Sequence, residues 1–126
     1  MLELVRGVEG RARRPIPIAG GGEVRVGTAS WTDPTMTARG VFYPEGAGSA
    51  EERLRYYASQ FPVVEVDATY YALPREQQSK LWVERTPAGF LFDVKAHALM
   101  TGQPSEVKRL PKEIREALPE KLKEKA

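Results

Sequence analysis

Two short stretches carry side chains suited to chemistry: VEVDATYY, residues 64–71, and FDVKAH, residues 92–97. Successive side chains alternate across a strand, so Val64 and Val66 point one way while Glu65, Asp67 and Thr69 point the other. The same rule sets Phe92 and Val94 against Asp93, Lys95 and His97. If the two strands are neighbours, five ionisable groups share one face. Glu65 and Lys95 then oppose each other, and three chemistries fit the pair. It can be an ion pair across an interior, whose desolvation cost makes it weak evidence for stability. Lys95 can clamp a carboxylate or phosphate, or it can act as a Schiff-base amine, which requires a depressed pKa. Asp67 and His97 stand close enough in the pattern to support either chemical role.

Metal ligation by His97, Asp67, Asp93 and Glu65 is chemically reasonable for a hard divalent ion. No HExxH motif or Cys pair accompanies them, so no metal site and no cofactor are assigned. His97 also reads as a strand-end residue satisfied by a backbone carbonyl. As the only His, in a chain without Cys, it argues against a Ser-His-Asp or Cys-His nucleophile. The glycines at 20–22 precede a strand rather than follow one, which excludes a dinucleotide-binding fingerprint or a P-loop.

The elements that must hold these groups follow from periodicity. SAEERLRYYASQF, residues 49–61, opens with Ser49 and Glu52 at capping-box spacing, and Leu54, Tyr57, Ala58 and Phe61 follow at helical intervals. A second helix is expected from Pro74, in PREQQSKLWVERT, with Pro as its first residue. TPAG then turns the chain into FLFDVKAH. Strands are expected at Val24–Trp31, Val63–Ala68 and Phe90–His97. Strands alternating with helices imply right-handed βαβ units, a parallel sheet and an α/β class. The helix-facing side of such a sheet is apolar, a demand met by Val24 and Val26, Val64 and Val66, and Phe92 and Val94. The charged face suits a barrel, whose interior becomes polar toward the C-terminal mouth.

The 17 residues from Thr32 to Gly48 form a long irregular segment with aromatic anchors, Phe42 and Tyr43. Segments of this length in a compact domain are functional or disordered, and the aromatics favour an ordered rim over the mouth. Trp31, Tyr43, Tyr70 and Tyr71 lie at or just beyond strand ends. Phe42 reads as a core cap, whereas Trp31 and Tyr71 suit stacking on a planar or sugar-like ligand.

VGTASW, GVFYPEG, RYYASQFPVVEVDATYYALP, Trp82, ERTPAGF and FDVKA together resemble the N-terminal half of the YecE-like family, domain of unknown function 72. The resemblance covers roughly Val24 to Thr101 and implies the N-terminal part of a TIM-barrel-like fold of about 250 residues, with about three parallel strands and covering helices. It implies a fold and no settled activity. Two positions depart from the family pattern. Ser30 stands where Gly is common, and Gly102 where a His often follows the Thr that matches Thr101. Thr101 joins Trp31, Tyr43, Tyr70 and Tyr71 as a substrate-binding candidate, and Glu65, Lys95, Asp67 and His97 are the catalytic candidates.

Composition bounds what these residues can be doing. The chain has 126 residues, 41% hydrophobic and 29% charged, with a net charge of +2 and no Asn. The high charged fraction and missing Asn are compatible with a thermophile. Residues 24–104 hold eight Lys or Arg against nine Asp or Glu, so the basic excess is terminal and mixed in sign, which argues against nucleic acid as a partner. No run is apolar enough to cross a membrane, and the opening residues do not read as a secretory signal, so a cytoplasmic location is expected.

Residues 1–23 read as a flexible lead-in, and 24–126 as a partial barrel domain truncated at its C-terminus. The tail, EVKRLPKEIREALPEKLKEKA, offers helical spacing and no fourth strand. A three-stranded fragment would leave edges that self-association could cover. Two functions remain open. One is acid-base or electrostatic catalysis on a small anionic substrate. The alternative is a non-catalytic ligand-binding or scaffold barrel, with a nucleic-acid-processing barrel behind both.

Overall fold

The computed structural model describes residues 10–123. Two sheets are present: an antiparallel pair, β1 (Ile16–Ile18) with β2 (Gly22–Val24), and a parallel sheet in the order β3 (Gly27–Thr28), β4 (Val63–Val66), β5 (Leu91–Val94). Between β3 and β4 run a one-turn helix, α1 (Pro34–Thr37), and the longer α2 (Ala50–Gln60). Helix α3 (Glu76–Glu84) connects β4 to β5, and two short helices, α4 (Lys112–Ala117) and α5 (Glu120–Lys123), close the described chain. The expected three parallel strands with helical crossovers are therefore present, in an open sheet that does not close into a barrel.

Helix α2 forms where its local chemistry dictates. The Ser49 side chain accepts the Glu52 N–H at 3.1 Å, and the Glu52 carboxylate accepts the Ser49 N–H at 3.0 Å, completing the capping box. Leu54, Tyr57 and Ala58 are buried on one side of it. Tyr57 and the sheet residues Val64 and Val66 form the centre of the core, with Trp31, Met36, Phe42, Phe61, Trp82, Phe90 and Phe92 packed around them. That apolar packing fixes which face of the sheet the helices cover. Glu65 and Asp93, direct partners in the β4–β5 register, belong to the other face.

The observed strands are shorter than the alternating pattern predicts. The first, expected over Val24–Trp31, contains only Gly27 and Thr28. Val24 belongs instead to the hairpin, which turns through Gly20 and Gly21 at φ 96° and 91°, a conformation that glycine adopts without penalty. So the lead-in, expected to be flexible, contains a hairpin, while residues 1–9 lie outside the described residues. Val24 and Val26 are both 44% exposed rather than packed under helices. At Val66 the second strand gives way to a 3-10 turn over Asp67–Tyr70, and the third ends at Val94. Helix α3 starts at Glu76 with Arg75 as its cap, two residues beyond the start expected at Pro74.

A tyrosine from α2 ends β3 early. The Tyr57 hydroxyl accepts the Thr28 N–H at 2.8 Å and donates to the Val63 carbonyl at 3.1 Å, so a side chain takes the place of the next ladder bond. Gly27 sits so close to β4 that a Cβ there would lie 2.1 Å from the Val63 oxygen. Replacing Tyr57 with Phe leaves the Thr28 N–H without its acceptor in the core. This substitution should cost about 1–3 kcal/mol, read as a lower urea midpoint at unchanged slope. Gly27→Ala should cost more, because its clash is with backbone.

Candidate functional site

In a parallel sheet all C-terminal strand ends lie together, and here that end is built by Trp31 and the segment after β3, the 3-10 turn after β4, and residues 95–109 after β5. Thr69 joins the last two. Its hydroxyl, fully buried, lies 2.8 Å from the Val66 carbonyl and 2.7 Å from that of Lys95. The Lys95 N–H also donates to Val66 O at 3.3 Å, extending the β4–β5 ladder one step past the strand.

Lys95 projects from this brace. Its Nζ lies 2.6 Å from Asp67 Oδ1, with both side chains about half exposed, and 5.7 Å from the centre of the Tyr70 ring. The expected partner was Glu65. Register explains the difference: the paired strands end with Val66 opposite Val94, and the residues that follow immediately, Asp67 at the start of the turn and Lys95, meet through their side chains. Glu65 lies one pleat back, opposite Asp93, and still adds to the negative potential at Lys95. The hydrogen bond that the Lys95 amine donates to Asp67, then the Asp67 charge, then that of Glu65 hold the amine above its ordinary 10.5. A shallow cleft of about 310 Å³ runs beside it, lined by Glu65, Phe92, Asp93, Val94 and Lys95.

His97 does not join this face. It caps the 3-10 turn at Ala98–Thr101, its Nδ1 accepting the Leu99 N–H at 3.3 Å, and it is 4% exposed. Its Nε2 is buried with no partner among the described residues. Trp31 also turns inward, edge-on to Trp82 at 5.5 Å and to Phe92 at 6.3 Å, so it is a wall of the core. The Tyr43 hydroxyl donates to the Trp31 carbonyl, its ring packs on Phe42 and Tyr56, and burial pushes its phenol pKa up. Phe42 in turn stacks on Phe61 at 5.8 Å. These contacts order the segment from 32 to 48. Thr101 is exposed and donates to Ala98 O at 3.0 Å.

The aromatics brought to the cation are Tyr70 and Tyr71, perpendicular to each other at 5.0 Å. Beyond them lies a contribution that sequence reasoning missed. Arg109 sits 5.4 Å over the Tyr71 ring, held by Glu106 at 2.9 Å. The two tyrosines, Ala98, Pro104, Ser105, Glu106 and Arg109 enclose a second cleft of about 180 Å³. With Tyr71 and Arg109 38 positions apart, no local spacing signals the contact. Among the described residues no group of three or more His, Asp or Glu side chains is placed to hold a metal ion, and no helix is long and apolar enough to cross a membrane.

A folded pKa held above the unfolded value contributes stability that is complete below the unfolded pKa and is lost as pH rises through the folded one. For Lys95 that window lies in alkali, above about 10.5. Asp67→Asn should therefore lower the Lys95 amine toward its ordinary value, followed by NMR titration of dimethylated lysine. The same variant should lessen the fall in melting temperature above that pH.

The family described as "Protein of unknown function DUF72" matches this chain over residues 25–126. The chain is also 37% identical over 79 residues to UPF0759 protein YunF of Bacillus subtilis (strain 168), a stretch that makes up 63% of this chain and 26% of that relative. The match thus spans about a quarter of the curated relative's length. No solved structure matches. With four-fifths of its length inside the family match, the chain belongs to the DUF72 family of proteins of unknown function.

Proposed function

We propose that the C-terminal end of the parallel sheet binds a small anionic substrate and acts on it by acid-base or electrostatic catalysis. The observation that carries this reading is Lys95, held at the strand ends as a cation by Asp67 at 2.6 Å, beside Glu65 and the Tyr70 ring. A raised amine pKa favours an electrostatic clamp over a Schiff-base nucleophile, which would need the opposite shift. An incoming carboxylate or phosphate competes with Asp67 for the ammonium, and the carboxylate it displaces becomes available as a base. Tyr70 and Tyr71 supply apolar flanks. The ordered segment from 32 to 48 serves as a rim, and Tyr43 and Trp31 act through it, without touching the ligand. His97 and Thr101 shape the turn that follows Lys95.

For the fold, we propose the N-terminal part of a TIM-barrel-like arrangement in residues 24–126, preceded by the lead-in at 1–23. Two βα crossovers, a parallel sheet and polar groups gathered at the C-terminal strand ends support it. A second reading, a catalytically silent ligand-binding or scaffold protein, is favoured by one observation: Asp67 already neutralises Lys95. Mixed-sign tail helices, with Lys112 near Glu116 and Lys123 near Glu120, give nucleic acid no continuous basic stripe to follow.

Calorimetric titration with inorganic phosphate and with small carboxylates tests the main reading. The unaltered chain should bind at least one of them. Lys95→Met and Glu65→Gln should each weaken binding roughly tenfold or more while the melting transition stays cooperative. Collapse of folding in both variants would assign the two residues to structure, and unchanged affinity in both would remove the site.

A further inference from the structure

Four side chains form an array across the C-terminal strand ends that the anion reading uses only in part. Lys95 Nζ lies 5.7 Å from the centre of the Tyr70 ring, Tyr70 stands 5.0 Å from Tyr71, and the Arg109 guanidinium sits 5.4 Å from the centre of the Tyr71 ring. Two cations thus flank two aromatic rings. At the Arg109 end lies the cleft of about 180 Å³, lined also by Ser105 and Glu106. It is too small for a drug-sized ligand, which takes about 300 Å³ or more, and ample for one acidic group with a few carbons.

Arg109 is prepared to receive such a group. Glu106 accepts from its Nε at 2.9 Å, and the Tyr71 ring supports it through its face. The rotamer freedom that a loose surface arginine gives up on binding is therefore already restricted. Among the described residues its two terminal amino groups make no hydrogen bond, and together they form the edge that takes a carboxylate or phosphate through two parallel bonds. Charge balance separates the two ends of the array. Lys95 is bonded to Asp67 and shares its cleft with Glu65 and Asp93, so an anion arriving there meets three carboxylates. Glu106 is bonded to Lys108 at 3.2 Å as well as to Arg109, so at the other end two cations share one carboxylate. The end that favours an anion more strongly is the one with Arg109.

We propose that the substrate bound at Lys95 carries two acidic groups, the second held by Arg109, joined by a short apolar link that lies along Tyr70 and Tyr71. This rests on the reading of Lys95 as an anion clamp. Dicarboxylic acids and phosphorylated carboxylic acids are the classes that fit. The second head adds charge-assisted bonds of its own without a second loss of translational freedom, which is the gain of a two-point ligand. It also supplies the attraction that the carboxylate-rich surroundings of Lys95 withhold from a lone anion.

Calorimetric titration with straight-chain dicarboxylates from succinate to suberate, and with phosphonocarboxylates of the same lengths, tests the assignment against monocarboxylates of equal carbon number. At the best length a two-headed ligand should bind roughly tenfold tighter than its monocarboxylate. Arg109→Gln should abolish that ratio, whereas Arg109→Lys, which keeps the charge and loses the fork, should retain part of it. In an NMR titration the Arg109 Nε signal should shift with the two-headed ligand and not with acetate. Equal affinity for one-headed and two-headed ligands at every length, with monocarboxylates still bound, overturns the inference and leaves the Lys95 reading standing. A two-headed advantage that survives Arg109→Gln overturns it as well. Absence of binding by every ligand of the series overturns both.

Discussion

The phenol of Tyr57 stands where helix α2, the end of β3 and the start of β4 meet. A sheet and a helix can pack with their apolar surfaces at many offsets, since the hydrophobic effect has no direction. Hydrogen bonds have one. By accepting from Thr28 N–H and donating to Val63 O, the Tyr57 hydroxyl sets the axial position of α2 against the sheet and the stagger of β3 against β4 in one contact. Gly27 is the complement of this arrangement, since only a residue without a Cβ leaves room for the Val63 carbonyl. Trp82, Phe90, Phe92 and Trp31 fill the rest of the interior around that fixed point.

Once α2 and the strands are fixed in stagger, the positions of the polar groups follow. The β4–β5 register places Glu65 against Asp93 and carries Asp67 to Lys95. Two like-charged carboxylates side by side are tolerable because that face of the sheet is open to water, which a helix-covered face would not be. The ion pair at the strand ends marks the change from ladder to loop. The rise in the Lys95 pKa comes from the nearby Asp67 and Glu65 carboxylates, and burial opposes it.

Much of this was legible in the sequence wherever the cause was local. Ser49 and Glu52 are three residues apart and announce the start of α2. The alternation around Glu65 and Asp93 correctly separates the two faces of the sheet. Legibility fails where the cause is distant. Tyr57 truncates β3 from 29 residues away, and no pattern within VRVGTASW discloses it. Alternation says which side Lys95 takes, but its partner depends on a register that only the assembled sheet defines. Trp31 and His97 look like rim residues by position, yet aromatic packing and the turn at 98–101 draw them inward. The glycines at 20 and 21 read as slack because their turn is recognised only through the pairing of the flanking residues.

Thr69 has a mechanical consequence. One hydroxyl, with a single proton, stands between the carbonyls that end β4 and follow β5. Spreading those two strand ends apart would break the Thr69 contact with Lys95 O and the Lys95 N–H bond to Val66 O, so this end of the sheet is braced twice. Compliance lies elsewhere. Residues 98–109 are mainly short turns with many exposed side chains, and Arg109 and Glu106 reach back to the tyrosines only through surface contacts. Flexing at this end of the sheet is therefore easier in that outer loop than at the braced strand ends.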